Sequence, residues 1–480
     1  MTTPNPEAVA WHQRGRELQL QGDAAAAEQA YRQALALEPL YRRSLNNLAV
    51  LLLQRFEPQQ AEQLLERGLN GGPTLVDPAE TALLLNTLCQ LRLQQQRPQE
   101  AVAVARRLVQ LAPQASHFTN LAVALQLSGQ PRAALRAQWQ ALGLGSADPL
   151  QLLWQPLDDP QASAQRQREL QNLATMELAL DPFGQHGWRL LQARLAAQPG
   201  HWARQPSPWQ GLWDGEHVGE LLLWDEQGFG DAIQCLRWLP AVVRRADCVR
   251  LWLRPPLLRL VQRRMPLPAH VVLQVWPAGA EPWCQGVPHL PLMSLPLALG
   301  LSGPALAAGL PLKRACAAPQ PRPLRRLGLV WAAGRKTDPE ADRQARQRSL
   351  PLADLMAVLE PVVRQGRLQL VPLQVGPDAQ EAEAFAGLLE PTPPMDDWEA
   401  TACDVETLDG VISVDTAVAH LAGSLGVRTL LLLPQPCDWR WGLEGKLTPW
   451  YASVQLLRLQ QASFADEFRS WLYSCTVQSR

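Results

Sequence analysis

Lysine is all but missing from this chain: Lys313, Lys336 and Lys446 are the three present, and arginine supplies the rest of the 44 basic side chains. Against 45 acidic residues the formal net charge is −1, so nucleic acid is not expected as a partner of the whole molecule. Charged residues make up 19%, below the usual ~25%, while 47% hydrophobic content excludes global disorder. Paired cysteines are lacking as well. The eight, at 89, 235, 248, 284, 316, 403, 437 and 475, form no C-x-x-C and none has a histidine at zinc-site spacing. Neither a structural metal nor a disulfide scaffold is expected, and reduced thiols in the cytoplasm fit better. The opening stretch MTTPNPEAVAWHQRGRELQ has no basic and apolar leader pattern, so no secretory signal is expected. One uncharged stretch, Leu290 to Leu312, is long enough to span a bilayer, but Pro291, Pro296, Pro304 and Pro311 interrupt it, and no transmembrane segment is expected. Several catalytic signatures are absent too. There is no G-x-x-x-x-G-K-[ST] loop and no G-x-S-x-G, and Gly228-Phe-Gly230 meets Ile233 where a dinucleotide fingerprint needs glycine.

What is there begins with repetition. Trp11, Gly15, Ala27, Tyr31, Ala34 and Pro39 stand at spacings that return with Leu45, Leu48, Ala49, Ala61, Leu65, Gly68 and Pro73. A third set is Leu85, Leu88, Cys89, Ala101, Ala105, Leu108 and Pro113, and a fourth Phe118, Leu121, Ala122, Leu125, Ala134 and Ala141. The small residues Gly15, Ala49, Cys89 and Ala122 recur at 34, 40 and 33 residues, with one insertion around 71–77. Small residues allow two helices of a pair to approach, larger ones fill the seam, and proline ends the second helix. Stacked pairs bury a continuous core that one pair alone cannot. Residues 8–147 therefore resemble four tetratricopeptide repeats, an all-α solenoid, and that resemblance implies a protein or peptide partner in its groove. The alternative is an array that only self-associates or props up the next domain.

Residues 148–215 read as a helical connector, with a helix over 162–180 and a proline- and tryptophan-rich run containing Trp202 and Trp209. Those tryptophans lack the interleaved basic residues of a nucleic-acid track, so packing between domains is expected of them. The periodicity then changes. ELLLW, CVRLWL and HVVLQVW are short apolar runs separated by helical spacings, as expected of buried parallel strands. LGLVW, RLQLVPL, GVISV and VRTLLLLP repeat the scheme. Two Rossmann-like α/β lobes follow, over 216–318 and 319–460, with a terminal helix in 461–480. Ligands of such sheets sit beyond the carboxyl ends of the strands, and a cleft between the lobes is the expected site.

DEQGFGDAIQCLRWLP, RSLPL, LVPLQVGP, VISVDTAVAHLAGSLGVRTLLLLP and CDWRW together carry a second resemblance. From about Trp209 to Trp450 the chain resembles the two-lobed glycosyltransferases of the heptosyltransferase type (glycosyltransferase family nine, GT-B fold), in the branch fused to tetratricopeptide repeats. It departs from them at Ala417, where glycine is common, and at Val375, where related sequences often have lysine. The resemblance implies inverting, metal-independent transfer of a sugar from a nucleotide-sugar substrate, with no cofactor, to an acceptor recruited by the repeats. The rival is a non-catalytic scaffold with a degenerate domain. It further implies Asp231 as the general base and a donor site from Gly228, Gly230, Arg348, Gln374, Asp415, Thr416, His420 and Trp439, the second lobe being the donor side.

The chemistry of those residue types leaves alternatives open. A base must take the acceptor's proton and the departing diphosphate must be stabilised. Asp231 follows two glycines and opens a helix, so it is either that base or a helix N-cap. Asp415 and Thr416 precede a helix whose amides can hold phosphate, or they simply cap it. His420 lies one turn further on the same face, as a ligand contact or a core histidine. Arg348 ends a basic loop with Arg335, Lys336, Arg343 and Arg346, which neutralises a diphosphate or is merely solvated. Trp439 and Trp441 flank Arg440 and either stack on a base or sugar or pack between lobes.

Overall fold

The structure is a computed structural model that describes residues 5–55, 57–71, 77–143, 150–153, 160–197, 211–277, 285–309, 312–315, 325–335, 342, 345–434, 437–459 and 464–476. Pro73, Trp202, Trp209, Cys284, Cys316, Lys336 and Arg343 lie outside the described residues, as does most of the insertion at 71–77. The chain divides into two compact units, Met1–Leu173 and Ala174–Arg480.

The first unit is built of helix pairs: α1 Pro6–Leu20 with α2 Ala24–Leu37, α3 Arg42–Gln54 with α4 Pro58–Asn70, α5 Pro78–Gln94 with α6 Pro98–Leu111, and α7 Ala115–Leu127 with α8 Pro131–Ala141. Local chemistry sets the starts. Asn5, Asp23 and Asp77 accept backbone N–H groups of α1, α2 and α5, and proline opens α4, α6 and α8, where its missing N–H costs nothing. A Cβ on Gly15 would stand 2.6 Å from Tyr31, so glycine is what lets α1 and α2 close. Tyr31, Leu45, Leu48, Leu65, Leu84 and Leu88 belong to one continuous core through the first three pairs. Arg92, 9% exposed, joins two pairs through Glu62 at 2.8 Å and Glu66 at 2.7 Å, and also pairs with Glu100. The first helices of the last three pairs touch in turn (α3 with α5, α5 with α7) more than the second helices touch one another, so the first helices line the inner face. A ninth helix, α9, runs Pro160–Leu180, and the boundary between units falls inside it.

The second unit holds two all-parallel sheets. In the first, β1 Val218–Trp224, β2 Ala246–Leu253, β3 Val271–Val275 and β4 His289–Pro291 lie in the order β3-β2-β1-β4. In the second, β5 Arg325–Val330, β6 Leu368–Pro372, β7 Gly410–Val414, β8 Thr429–Leu433 and β9 Val454–Arg458 lie in the order β6-β5-β7-β8-β9. Strands β4 and β9 were not foreseen. The first is three residues at the head of the apolar stretch 290–312, whose described part otherwise forms short helical turns. Among the described residues no helix is long and apolar enough to cross a membrane. The strands read from the sequence recur within two residues at each end, and parallel pairing explains their unbroken apolarity, since both faces are covered. Leu327, Leu329 and Trp331 pack with Leu355 and Leu359 of α12 (Leu352–Arg364) and with Phe468 and Trp471. Those last two come from the final helix, which spans Phe464–Thr476.

Candidate functional site

Neighbouring strands on the two sides of β1, and of β5, connect in opposite directions, which places a switch point at the carboxyl ends of β1 and β7. Two turns meet there. One leads from β1 into α10 (Phe229–Cys235), the other from β7 into α14 (Ala417–Ser424). Helices α10 and α14 are in direct contact. A Cβ on Gly230 would stand 2.6 Å from the His420 ring and 3.3 Å from the Ala417 Cα, so Gly230 is what brings the two turns together.

The first turn is pinned by arginines. The Asp225 carboxylate accepts from the Arg254 amide at 3.2 Å and from its Nε at 2.5 Å, and Arg254 Nη1 donates to the Gln227 carbonyl at 3.0 Å. That holds Gln227 in the left-handed region, φ 58°. Burial raises the Asp225 pKa against the pull of Arg254. Glu226 pairs with buried Arg194, whose Nη2 also donates to Ser294 at 2.8 Å.

Asp231 is not the N-cap of α10. Gly228 is, with backbone in the extended region, and Asp231 sits at the third helical position with its Oδ2 accepting the Gly228 N–H at 2.7 Å. Its Oδ1 is 2.6 Å from Nη2 of Arg440, and the side chain is 23% exposed. Both carboxylate oxygens of the expected base are thus already engaged by donors. Arg440 also donates from Nε to Gln234 at 2.6 Å and pairs through Nη1 with Asp438 at 2.9 Å, so one buried guanidinium ties α10 to the far lobe.

Asp415 closes β7, nearly buried, 3.4 Å from Nη1 of Arg348. Burial first, and then Asp438, raises its pKa, opposed by Arg348. For Asp438 burial pulls upward too, but Arg440 and Arg348 together outweigh it and the pKa is lowered. Thr416 is the N-cap residue of α14, yet its hydroxyl bonds Ser413 at 3.0 Å and makes no side-chain cap bond. His420 is packed as a core residue: Nδ1 lies 2.9 Å from the Tyr451 hydroxyl and the ring stands 5.1 Å from that of Trp441. Burial, helped by Arg440, lowers its pKa to about 3, so the ring is neutral.

Four further residues serve the framework. Gln374 accepts from the Trp331 and Ala332 amides at 3.1 and 2.9 Å and donates to the Ala332 and Val375 carbonyls, so its side chain latches β5 to β6. Trp439 packs edge-on to Trp188 at 5.4 Å and Trp450 at 6.2 Å, with the Arg440 guanidinium 4.4 Å over its ring. Arg335 makes a bidentate pair with Asp378, and Arg346 pairs with Asp342, which among the described residues leaves Arg348 as the loop arginine at the turn.

Reading the sequence for a site missed a second buried charge cluster. Arg264, on α11 (Pro255–Arg264), pairs with Glu399 at 2.7 Å and Glu406 at 2.9 Å, both on α13 (Trp398–Glu406). The signal was present: Arg264 continues the buried stripe of Leu257, Leu260 and Val261. A cavity of about 200 Å³ lies nearby, lined by Arg237, Pro240, Val243, Lys313 and the turn 265–268. It falls short of the ~300 Å³ at which small-molecule sites begin, and none of the candidate residues lines it. Among the described residues no group of three or more metal-capable side chains is gathered.

Two segments, 8–39 and 42–71, match the tetratricopeptide repeat family, and the helix pairs α5–α6 and α7–α8 continue the same plan. The N-terminal array is built of tetratricopeptide repeats. Among solved structures, MamA from Desulfovibrio magneticus RS-1 is 15% identical, with 41% of this chain and 100% of that one covered, at a TM-score of 0.33. TTC0263, a thermophilic TPR protein in Thermus thermophilus, is 17% identical over 40% and 92%, TM-score 0.29. YrrB, described as a TPR protein with an unusual peptide-binding site, is 15% identical over 40% and 88%, TM-score 0.31. No curated protein sequence matches this chain.

Proposed function

We propose that this chain is a cytoplasmic protein-binding scaffold whose repeats hold a peptide or partner protein. The observation that carries this reading is apolar surface left open on the inner face. Leu20 is 84% exposed and Leu83 38% exposed, on helices whose other leucines are buried or half-buried. A solenoid that only propped up a neighbour would have no use for leucines there. The test is selection of random peptides displayed on phage against the full chain. Enriched sequences should lose binding when Leu20 and Leu83 are changed to glutamate, and the absence of any enrichment would defeat the reading.

A second reading makes the α/β unit a GT-B, heptosyltransferase-like glycosyltransferase that passes a sugar from a nucleotide-sugar donor to what the repeats recruit. The abutment of the α10 and α14 turns supports it, because the resemblance requires base and donor site to face each other. Arg348, Thr416 and the uncapped amides of α14 would hold the diphosphate, and Asp231 would have to exchange Arg440 for the acceptor hydroxyl. With Gln374, Trp439 and His420 committed to the framework, this reading stands behind the first. A thermal-shift panel of nucleotides and nucleotide sugars decides it, since a ligand at 100 times its Kd adds about 2.7 kcal/mol. For a binder, Asp231→Asn should keep donor affinity and lower transfer by on the order of 10²–10⁴-fold. No stabilisation by any donor would remove the reading.

A further inference from the structure

The two sheets of the α/β unit have four edges between them, and three are closed. Beyond β4, Leu212 bridges His289, with the Trp213 N–H donating to the His289 carbonyl at 2.9 Å and the His289 N–H to the Gly211 carbonyl at 3.0 Å. Beyond β6, Leu389 bridges Leu370, and the Glu390 N–H donates to the Leu370 carbonyl at 2.8 Å. Beyond β9, Leu447 bridges Gln455, and the Leu456 N–H donates to the Lys446 carbonyl at 2.8 Å. The fourth edge is β3, and among the described residues no further segment bridges it.

The ladder to β2 fixes which groups of β3 point outward. The Val249 N–H donates to the His270 carbonyl and the Trp276 N–H to the Leu253 carbonyl, both at 3.0 Å, so residues 270, 272, 274 and 276 turn their main chain towards β2. Alternation along the strand then aims the main-chain groups of Val271, Leu273 and Val275 away from the sheet. The Pro268 carbonyl takes the Val271 N–H at 3.0 Å, and the groups of Leu273 and Val275 form a template for another strand. Apolar rows run off the same edge. Leu223 and Leu251 are buried and Leu273, next in their row, is half-buried. Buried Leu253 is followed outward by Val275, 45% exposed, and Val272 on the other face is 41% exposed. Edge strands are ordinarily blunted by lysine, other charges or proline. Here no formally charged residue occurs from Met265 to Pro277, and β3 contains no proline.

We infer that the β3 edge takes up an extended, uncharged segment of a partner protein as a fifth strand of the first sheet. The segment pairs with the main chain of Leu273 and Val275 and lays its own apolar side chains beside Val272 and Val275. Size decides between a segment and a second copy of this chain. Five residues at ~3.3 Å each give a strip ~17 Å long and, at a sheet's ~10 Å thickness, ~170 Å² in area. A stable dimer needs ~800 Å² from each partner. One added strand needs only the strip, because main-chain hydrogen bonds supply its affinity and alternate side chains its specificity. This docking place is separate from the repeats and does not depend on what they hold.

The test applies a pool of nine-residue peptides, randomised over Val, Ile, Thr, Tyr and Gln, to the immobilised full chain, and measures retained peptides singly by fluorescence polarisation. Val275→Pro removes one outward N–H and no bond to β2, and should weaken binding about fivefold or more, the worth of one neutral hydrogen bond. Val275→Thr keeps the N–H and the branched shape and should bind like wild type. With the wild-type chain, N-methylation of one alternate set of peptide residues should abolish binding and of the other set should not, since one side of an added strand faces β3. The double variant Leu20→Glu with Leu83→Glu should bind these peptides unchanged. Equal loss from both methylated sets, undiminished binding by Val275→Pro, or loss in the Leu20 and Leu83 variant overturns the inference. A concentration-dependent dimer that Val275→Pro abolishes overturns it too, by making a second copy the occupant. Retention of no peptide overturns it and leaves the repeats to be judged by their own ligands.

Discussion

His420 has its pKa lowered from 6.5 to about 3 by burial, so below pH 6.5 the unfolded chain takes up a proton that the folded ring refuses. Stability should therefore fall on acidification through the window from 6.5 towards 3, by up to about 1.4 kcal/mol per pH unit from this group. Asp415 works in the opposite direction: its raised pKa means that acid relieves a buried charge. Asp438, lowered, adds a loss only below its ordinary 3.8. Comparing wild type with His420→Gln, which keeps a partner for Tyr451, isolates the histidine. The variant's melting temperature should decline less steeply between pH 6.5 and 4.5, and equal slopes would refute the assignment. Gly230→Val is expected to cost about 1–3 kcal/mol by overpacking, because its new side chain meets His420 and the Ala417 backbone, and calorimetry of the α/β unit reads this directly. The sequence brought Asp231, Asp415, Thr416 and His420 to notice, and the structure does gather them. What spacing alone left hidden was occupancy. Nothing in FGDAIQC reveals that Arg440 takes one oxygen of Asp231, because that partner arrives from the other lobe.

Helices α11 and α13 meet through charges where their neighbours meet through leucine. Arg264 is buried with Glu399 and Glu406, so Arg264→Met alone removes the cation that balances two buried carboxylates and should cost about 3–5 kcal/mol. Replacing all three with apolar residues of similar volume should restore stability to wild type or raise it by about 1–4 kcal/mol, by chemical denaturation. A triple variant as unstable as the single would show that the triad stabilises the contact outright. Elements with strong periodicity were legible: every repeat helix, and strands such as GVISV whose two covered faces make them apolar throughout. Elements that owe their state to neighbours were not. HLP pairs because β1 offers it an edge and Leu212 bridges its other side, and VQLLR has the spacing of many surface segments.

The division at Leu173 and Ala174 predicts that residues 1–173 fold alone. That fragment should give a helical circular-dichroism spectrum with a single cooperative melt, and strand signal would contradict the architecture. The two units also differ in how far along the chain their partners lie. Every helix of the array meets its neighbours in the adjoining repeat, so its structure can form as it leaves the ribosome. Arg264 waits for a glutamate 135 positions later, and Gln234 for an arginine 206 positions later. At about 5–20 residues per second, α10 remains without its partner for roughly 10–40 s of synthesis. Throughout that interval a finished repeat array is tethered to a nascent half-sheet with apolar faces uncovered, and any chaperone dependence of this protein should fall on the lobe made first.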